Sequence, residues 1–396
     1  MPMRDYGIKT IEGAGLAGRA GRWDLSIAGG RITTLRASQA SGGGVILPLL
    51  ADIHTHLDKT FTSCRMPQRA ESLFHAIEMM AADTRNWSDA DLRERAGKAL
   101  ARAYANGTGL IRSHLDWHGT QTPKAWHVLT ELAQDWHGRV DVELASLTPL
   151  DDLVVHGESI AAAVKASGGV LGAFVYRNAD LASKVAQVFD LAERCDLHLD
   201  FHVDEGLEPE ACGIDAIIAE TRKRDMQGRV LCGHGCALSV RQPAEVAELL
   251  SRGGDAGIGL TVLPECNAYL QDVEPGRTPR LRGLAPLHEA RAAGIKVMFG
   301  SDNVRDAFYP YGDYDLFDVF RTAVLSGHLA PGDWIDAISE APANWTGRSM
   351  RLREGGPADF IRIAAADLDD AVSRPRAARQ IWRGGQILAE HQGDFT

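Results

Sequence analysis

Long hydrophobic runs are missing from this chain of 396 residues. No apolar stretch approaches the roughly 20 residues that a helix needs to span a bilayer. The start, Met1-Pro2-Met3-Arg4-Asp5-Tyr6, lacks the apolar core of a secretion signal. Basic tracts are missing as well. The 42 Lys and Arg are outnumbered by 53 Asp and Glu, for a formal charge of −11. A chain with no basic stripe does not suit a nucleic-acid surface. The expectation is a cytoplasmic protein with neither membrane nor nucleic acid among its partners. Cysteine is sparse: there are six, and none forms C-x-x-C. In a large chain expected in the cytoplasm these thiols are expected to be reduced and mostly buried. Cys232 and Cys236 flank His234, but one C-x3-C pair without a second is a weak zinc signal.

The rest of the composition, 45% hydrophobic and 24% charged, reads as globular. The length favours a large domain with a smaller companion. Residues 1–47 are Gly-rich with short strand-like pieces, and Gly29-Gly30 reads as a hairpin turn. Gly13-Ala14-Gly15-Leu16-Ala17-Gly18 matches G-x-G-x-x-G. It is followed by strand-like sequence instead of a helix, so a dinucleotide site is not expected there. Residues 350–396 return to short strands, with a second hairpin signal at Gly384-Gly385. Both chain ends are therefore expected to pair into one small β-sandwich domain.

Between them, residues 48–349 alternate short apolar runs with helix-like stretches. The runs are Val45–Ile53, Leu110–Leu115, Val140–Leu147, Val170–Val175, Leu197–Val203, Val230–His234, Ala256–Leu263 and Lys296–Ser301. Helical spacing covers segments such as Asp89–Ala105, Ala179–Glu193, Ile214–Arg224, Pro243–Arg252 and Pro286–Ala293. Eight runs with intervening helices predict a (β/α)8 barrel, with a doubly wound open sheet as the alternative. The connections 59–87 and 271–284 are the candidate lids.

In such a barrel the chemistry gathers at the C-terminal strand ends. The first run ends in Asp52-Ile53-His54-Thr55-His56-Leu57-Asp58. Strand side chains alternate, so His54 and His56 share a face. Later runs end in His114 and Asp116, in His202, Asp204 and Glu205, in His234, and in Asp302 and Asn303. Burying these groups is unfavourable unless they are paired or bind something. Imidazoles with a carboxylate suit one divalent cation, Zn²⁺ or Fe²⁺, with a position left for water.

The motifs His54-Thr55-His56-Leu57-Asp58, Ser113-His114-Leu115-Asp116, Phe201-His202-Val203-Asp204-Glu205, Gly233-His234 and Ser301-Asp302-Asn303-Val304-Arg305-Asp306-Ala307-Phe308-Tyr309-Pro310 resemble the amidohydrolase superfamily. Within it they are most similar to the cytosine deaminase-like branch. The resemblance implies a (β/α)8 barrel with a β-sandwich from both termini. It also implies metal ligands at His54, His56, His202 and Asp302. Many members hold a second metal through a Lys at the end of strand four; here that run is Leu171–Arg177 without Lys, so one metal is expected. By the same resemblance His234 would aim the attacking water, Asp302 would take its proton, and Glu205 would carry a proton to a ring nitrogen. Asn303, Phe308, Leu150 and His114 would meet substrate, His114 either lining the cavity or supporting the metal ligands, while Asp58 and Asp116 would orient neighbouring imidazoles or lysines.

The substrate signal is mixed. Cytosine-specific members carry a Gln after strand three, where this chain has Leu147-Thr148-Pro149-Leu150-Asp151-Asp152, and a second Asp where this chain has Asn303. The expected reaction is hydrolytic deamination of an amino-substituted nitrogen heterocycle, releasing ammonia. Cleavage of an N-alkylamino-triazine or a cyclic amide is the alternative of the same class, and a non-catalytic ligand-binding barrel that of another. The partners expected are a small N-heterocycle and further copies of the chain in a homo-oligomer.

Overall fold

The structure is a computed structural model that describes residues 8–388. Residues 1–7 and 389–396 of the expected terminal domain lie outside the described residues. By compactness the chain divides into two units. One comprises the described parts of Met1–Ala51 and Asp315–Thr396 together with Arg102–Gly109; the other comprises Asp52–Ala101 and Leu110–Tyr314.

The chain begins with β1 (Lys9–Leu16), β2 (Arg22–Ala28), β3 (Arg31–Ser38) and β4 (Val45–Pro48). It then supplies β5 (Leu50–Thr55), β6 (Thr108–Asp116), β7 (Asp141–Pro149), β8 (Leu171–Val175), β9 (Leu199–Val203), β10 (Val230–His234), β11 (Gly259–Val262) and β12 (Lys296–Phe299). It ends with β13 (Phe360–Ile363), β14 (Arg379–Arg383) and β15 (Gln386–Ile387).

The first and last groups form one continuous seven-stranded sheet in the order β15-β14-β13-β4-β1-β2-β3. Its core gathers Ile11, Leu25, Ile27, Ile32, Ile46, Phe360 and Trp382. Both double-glycine turns are hairpins. Gly29 and Gly30 take φ of 58° and 77°, and Gly384 and Gly385 take 53° and 72°. Left-handed backbone at both central positions is what a tight type I′ turn demands. Gly13 and Gly15 lie inside β1, which pairs with β2. No helix follows them, so the dinucleotide motif lacks its framework, as expected.

The other eight strands run β5 to β12 in sequence order, as a parallel, nearly closed barrel with helices between strands. A parallel sheet is covered on both faces, and every residue of β5, β9 and β10 is buried. The ring is joined at its seam by a parallel bridge between Thr55 and Asp302. The Asp302 amide donates to the His54 carbonyl at 2.8 Å.

One boundary differs from expectation. The run Val45–Ile53 is divided: Val45–Pro48 pairs antiparallel with β13, and the barrel strand starts at Leu50. Proline cannot donate to a ladder and marks such strand ends. Among the helices, Asp89–Ala105 matches its expected span. The 59–87 connection contains a helix of its own, Leu73–Asp83, capped by the Ser72 side chain accepting from the His75 amide.

Candidate active site

The barrel brings distant strand ends together. His54 Nε2 stands 3.0 Å from His202 Nε2, and His202 Nε2 stands 3.3 Å from His56 Nε2. Asp302 Oδ1 lies 3.1 Å from His56 Nε2 and 3.6 Å from His54 Nε2. The His234 ring is 5.0 Å from that of His202. Ligand-capable atoms of His54, His202, His234 and Asp302 all fall within 4.8 Å of one another. All five residues are buried.

The backbone aims these groups by leaving the strand conformation. Asp204, His234 and Asp302 have φ of 50°, 73° and 56°, a left-handed region that non-glycine residues seldom adopt. Asp204 is held there by the start of helix Gly213–Lys223, whose Gly213 and Ile214 amides donate to its carboxylate at 2.9 and 3.0 Å. Behind Asp302, the Asp52 carboxylate accepts from the Ser301 amide at 3.1 Å and its hydroxyl at 2.5 Å. Gly233 is needed for close approach: a Cβ there would meet His54 Cε1 at 2.8 Å.

Burial holds the imidazoles of His54, His114 and His202 well below their ordinary pKa. It lowers His234 to about 4. At neutral pH these rings are uncharged and offer lone pairs. Burial pushes Asp302 the other way, but contact with His56 and the proximity of His234 outweigh it, and its carboxyl lies below the ordinary value. Neither Asp302 oxygen has a hydrogen-bond partner, nor does His234 Nε2. Buried polar atoms without partners are destabilising. Neutral imidazoles around an unsatisfied carboxylate therefore fit a divalent cation of the Zn²⁺ or Fe²⁺ kind.

Two contacts separate the roles of the imidazoles. His56 Nδ1 donates to the His114 carbonyl at 3.1 Å, which leaves the Nε2 lone pair free for a cation. His234 Nδ1 accepts from Asn267 Nδ2 at 3.1 Å. Its proton is then on Nε2, which makes it a donor at that edge.

Glu205 is fully buried. Burial first, and then the Asp302 charge, raise its carboxyl to about 8. Its Oε1 lies 3.6 Å from His234 Nδ1. Its backbone carbonyl accepts from Gln271 Nε2 at 2.5 Å. Its proton affinity is thus raised toward neutrality beside a cluster of imidazoles, which suits a group that gives and takes a proton.

A cavity of about 460 Å³ opens onto His56, His202, Glu205, His234 and Asp302. Asp116, Asn303 and Phe308 also line it. Asp116 pairs with the buried Lys59 ammonium at 2.8 Å, and that ammonium lies 5.4 Å from the Phe308 ring centroid. Asp58 lies off the cavity wall, its carboxylate accepting from the Asp116 amide at 3.1 Å. Asn303 donates to Asp306 at 2.6 Å, so one of its amide hydrogens is already committed.

Two expected substrate contacts are corrected. Leu150 opens the helix Leu150–Ala166 and is wholly buried; its neighbours Leu147 and Pro149 line the cavity instead. The His114 ring lies beneath the site. It is 3.6 Å from Asp200, which Arg112 holds at 2.7 Å. The sequence reading did not single out Asn267, and it gave no role to Asp306 or to the pairing of Arg112 with Asp200. Asn267 left a faint trace, as a lone amide in the otherwise apolar stretch Cys266–Leu270.

A parallel barrel with buried imidazoles and carboxylates gathered at its strand ends has the arrangement of a metal-centre hydrolase. The chain belongs to the amidohydrolase family, whose profile matches residues 98–389. It is 36% identical to a pterin deaminase of Rhizobium rhizogenes over 89% of this chain and 82% of that protein. It is similar in fold to a 5-methylcytosine deaminase from Klebsiella pneumoniae, with a TM-score of 0.86, 23% identity and 98% of each chain covered. An N-isopropylammelide isopropylaminohydrolase from Burkholderia multivorans superposes with a TM-score of 0.77 at 24% identity, covering 96% of this chain and 97% of that one. The protein is a hydrolase acting on carbon–nitrogen bonds other than peptide bonds. Among the described residues no helix is long and apolar enough to cross a membrane.

Proposed function

We propose that this protein is a metal-dependent deaminase of an amino-substituted nitrogen heterocycle, releasing ammonia. His54, His56, His202 and Asp302 would hold one divalent cation. When bound, such a cation supplies a nucleophilic water near neutral pH. The other steps belong to the chain. His234 Nε2–H aims that water, and Asp302 takes a proton from it. Glu205 donates a proton to the ring nitrogen beside the attacked carbon, where negative charge grows. The collapsing carbon then expels its amine with a proton delivered by Glu205 or Asp302.

The observation that carries this reading is the position of Glu205, a buried carboxyl in the wall of the cavity that Asp302 and His234 share, with its Oε1 3.6 Å from His234 Nδ1. A carboxyl placed there can protonate the ring nitrogen beside the attacked carbon, as deamination requires. The relatives named a pterin deaminase and a 5-methylcytosine deaminase support the same class. Assembly into a homo-oligomer is part of the proposal and is read by light scattering.

The test is ammonia release by Zn²⁺- and Fe²⁺-loaded protein over aminated pyrimidines, pterins, purines and triazines. Ammonia from one ring class supports the reading. Turnover of cyclic amides alone overturns it.

A further inference from the structure

The polar centre is one part of the cavity wall; apolar residues from other elements make up much of the rest. Another part is walled by the helix Leu73–Asp83, which carries Leu73, Ile77, Met80 and Ala81 onto it, with Thr84 just beyond. These positions are spaced as one face of a helix. An apolar face of that kind normally packs against other side chains of the core. Here Ile77 and Ala81 present their side chains to the cavity, with the largely buried Leu73, Met80, Trp87 and Leu92 behind them and Thr122, Pro123 and Lys124 on the same wall.

The helix is fastened rather than loose. Thr62 Oγ1 donates to Met80 Sδ at 3.7 Å, the Phe74 ring meets Tyr176 edge-on at 5.1 Å, and Ser72 caps the first turn. Tyr176 is itself held by Glu208 at 2.7 Å. The apolar chamber is thus built in advance. At about 460 Å³ the cavity falls in the ~300–1,000 Å³ range that suits a drug-sized ligand rather than a bare single ring. A small polar ring bound at the polar centre would leave the helix face against unfilled space, forfeiting its dispersion contacts.

We infer that the substrate is an amino-heterocycle bearing an apolar substituent about the size of a butyl or phenyl group, which fills the chamber under helix Leu73–Asp83. This rests on the deaminase reading for the ring and on the cavity for the substituent, and the two are tested apart.

The probes are 4-aminopyrimidines, 2-aminopteridines and amino-triazines, each bare and with n-butyl or benzyl on a ring carbon. Equilibrium binding is measured by calorimetry on metal-free and metal-loaded protein, and turnover on the loaded protein. At least one series should show roughly hundredfold tighter binding for the butylated member, given the transfer gain of four buried methylenes. Ile77→Asp should abolish most of that preference. Ile77→Trp should weaken binding of the substituted ring much more than that of the bare ring; since Ile77 is 36% exposed, both variants are expected to fold, and circular dichroism checks this. Equal or weaker binding of the substituted members in every series overturns the inference, even if bare rings are deaminated. Substituent-dependent binding without release of ammonia upholds the chamber and overturns the deaminase reading.

Discussion

His54 Nε2 and His202 Nε2 face each other at 3.0 Å, deep in the barrel and 148 residues apart in sequence. Two neutral imidazoles that close are satisfied either by a single proton between them or by one electrophile that both address. The unpartnered oxygens of Asp302 beside them favour the electrophile. Chelator-treated protein is accordingly expected to take up one Zn²⁺ or Fe²⁺ per chain, and His202→Ala to take up far less. Elemental analysis after desalting reads this, and full uptake by His202→Ala would remove it from the ligand set.

Glu205→Gln separates binding from proton transfer. The amide preserves shape and keeps the metal content unchanged, but it cannot shuttle a proton. Turnover should fall by about 10²–10⁴-fold, the usual worth of a positioned acid–base group. Steady-state kinetics beside metal analysis makes the comparison; activity within a few-fold of wild type contradicts the role.

The protonation of Glu205 is measurable directly. In metal-free protein its carboxyl is expected to titrate near 8, well above an ordinary glutamate. A raised carboxyl is protonated below that pH and ionised above it. Relative to the unfolded chain, stability is therefore full below the ordinary value of 4.5 and is lost progressively as pH rises from there to about 8. Carbon-13 resonances of labelled glutamate follow the titration, with Glu205→Gln giving the assignment. A cation in the site should shift the midpoint downward, because positive charge favours the carboxylate.

Beneath the site, Arg112 pairs with Asp200 at 2.7 Å and with Glu143 at 2.7 Å. Asp200 is fully buried, and burial lifts its carboxyl to about 7 despite the guanidinium. Arg112→Ala leaves that carboxyl unpaired and should destabilise the fold by about 3–5 kcal/mol. The deficit should be greatest above pH 7, where Asp200 is ionised, and should shrink as acid neutralises it. Urea unfolding at pH 5.5 and 8 tests both the size and the sign.

Much of this architecture was legible in the chain. His54 and His56 declared themselves through the two-residue period of a strand, and all eight barrel strands coincide with apolar runs. Residues at strand ends are readable because the barrel geometry dictates where they point. Less visible was whatever depends on partners from another element. Nothing local marks Asn267 as the residue that fixes the His234 proton, or Arg112 as the cation beneath His114. Leu150 was misplaced because the turn from strand to helix rotates successive side chains by more than one position, so Leu147 and Pro149 reach the cavity and Leu150 turns inward. The helix Leu73–Asp83 shows its apolar period plainly in sequence, but a helix face that lines a cavity looks the same there as one that packs on a core. The run Val45–Ile53 looked unbroken because hydrophobicity does not record which sheet a residue joins.

The seam between Thr55 and Asp302 has a consequence for how this enzyme comes into being. The residue whose amide fastens the end of the barrel to its first strand is also the one whose carboxylate is proposed to complete the metal centre. On that proposal a nascent chain still short of Asp302 would have the imidazoles but no working site, and activity would first appear once the ring is closed. Turnover would then report on final assembly. A half-folded intermediate, however rich in native strands, would stay silent.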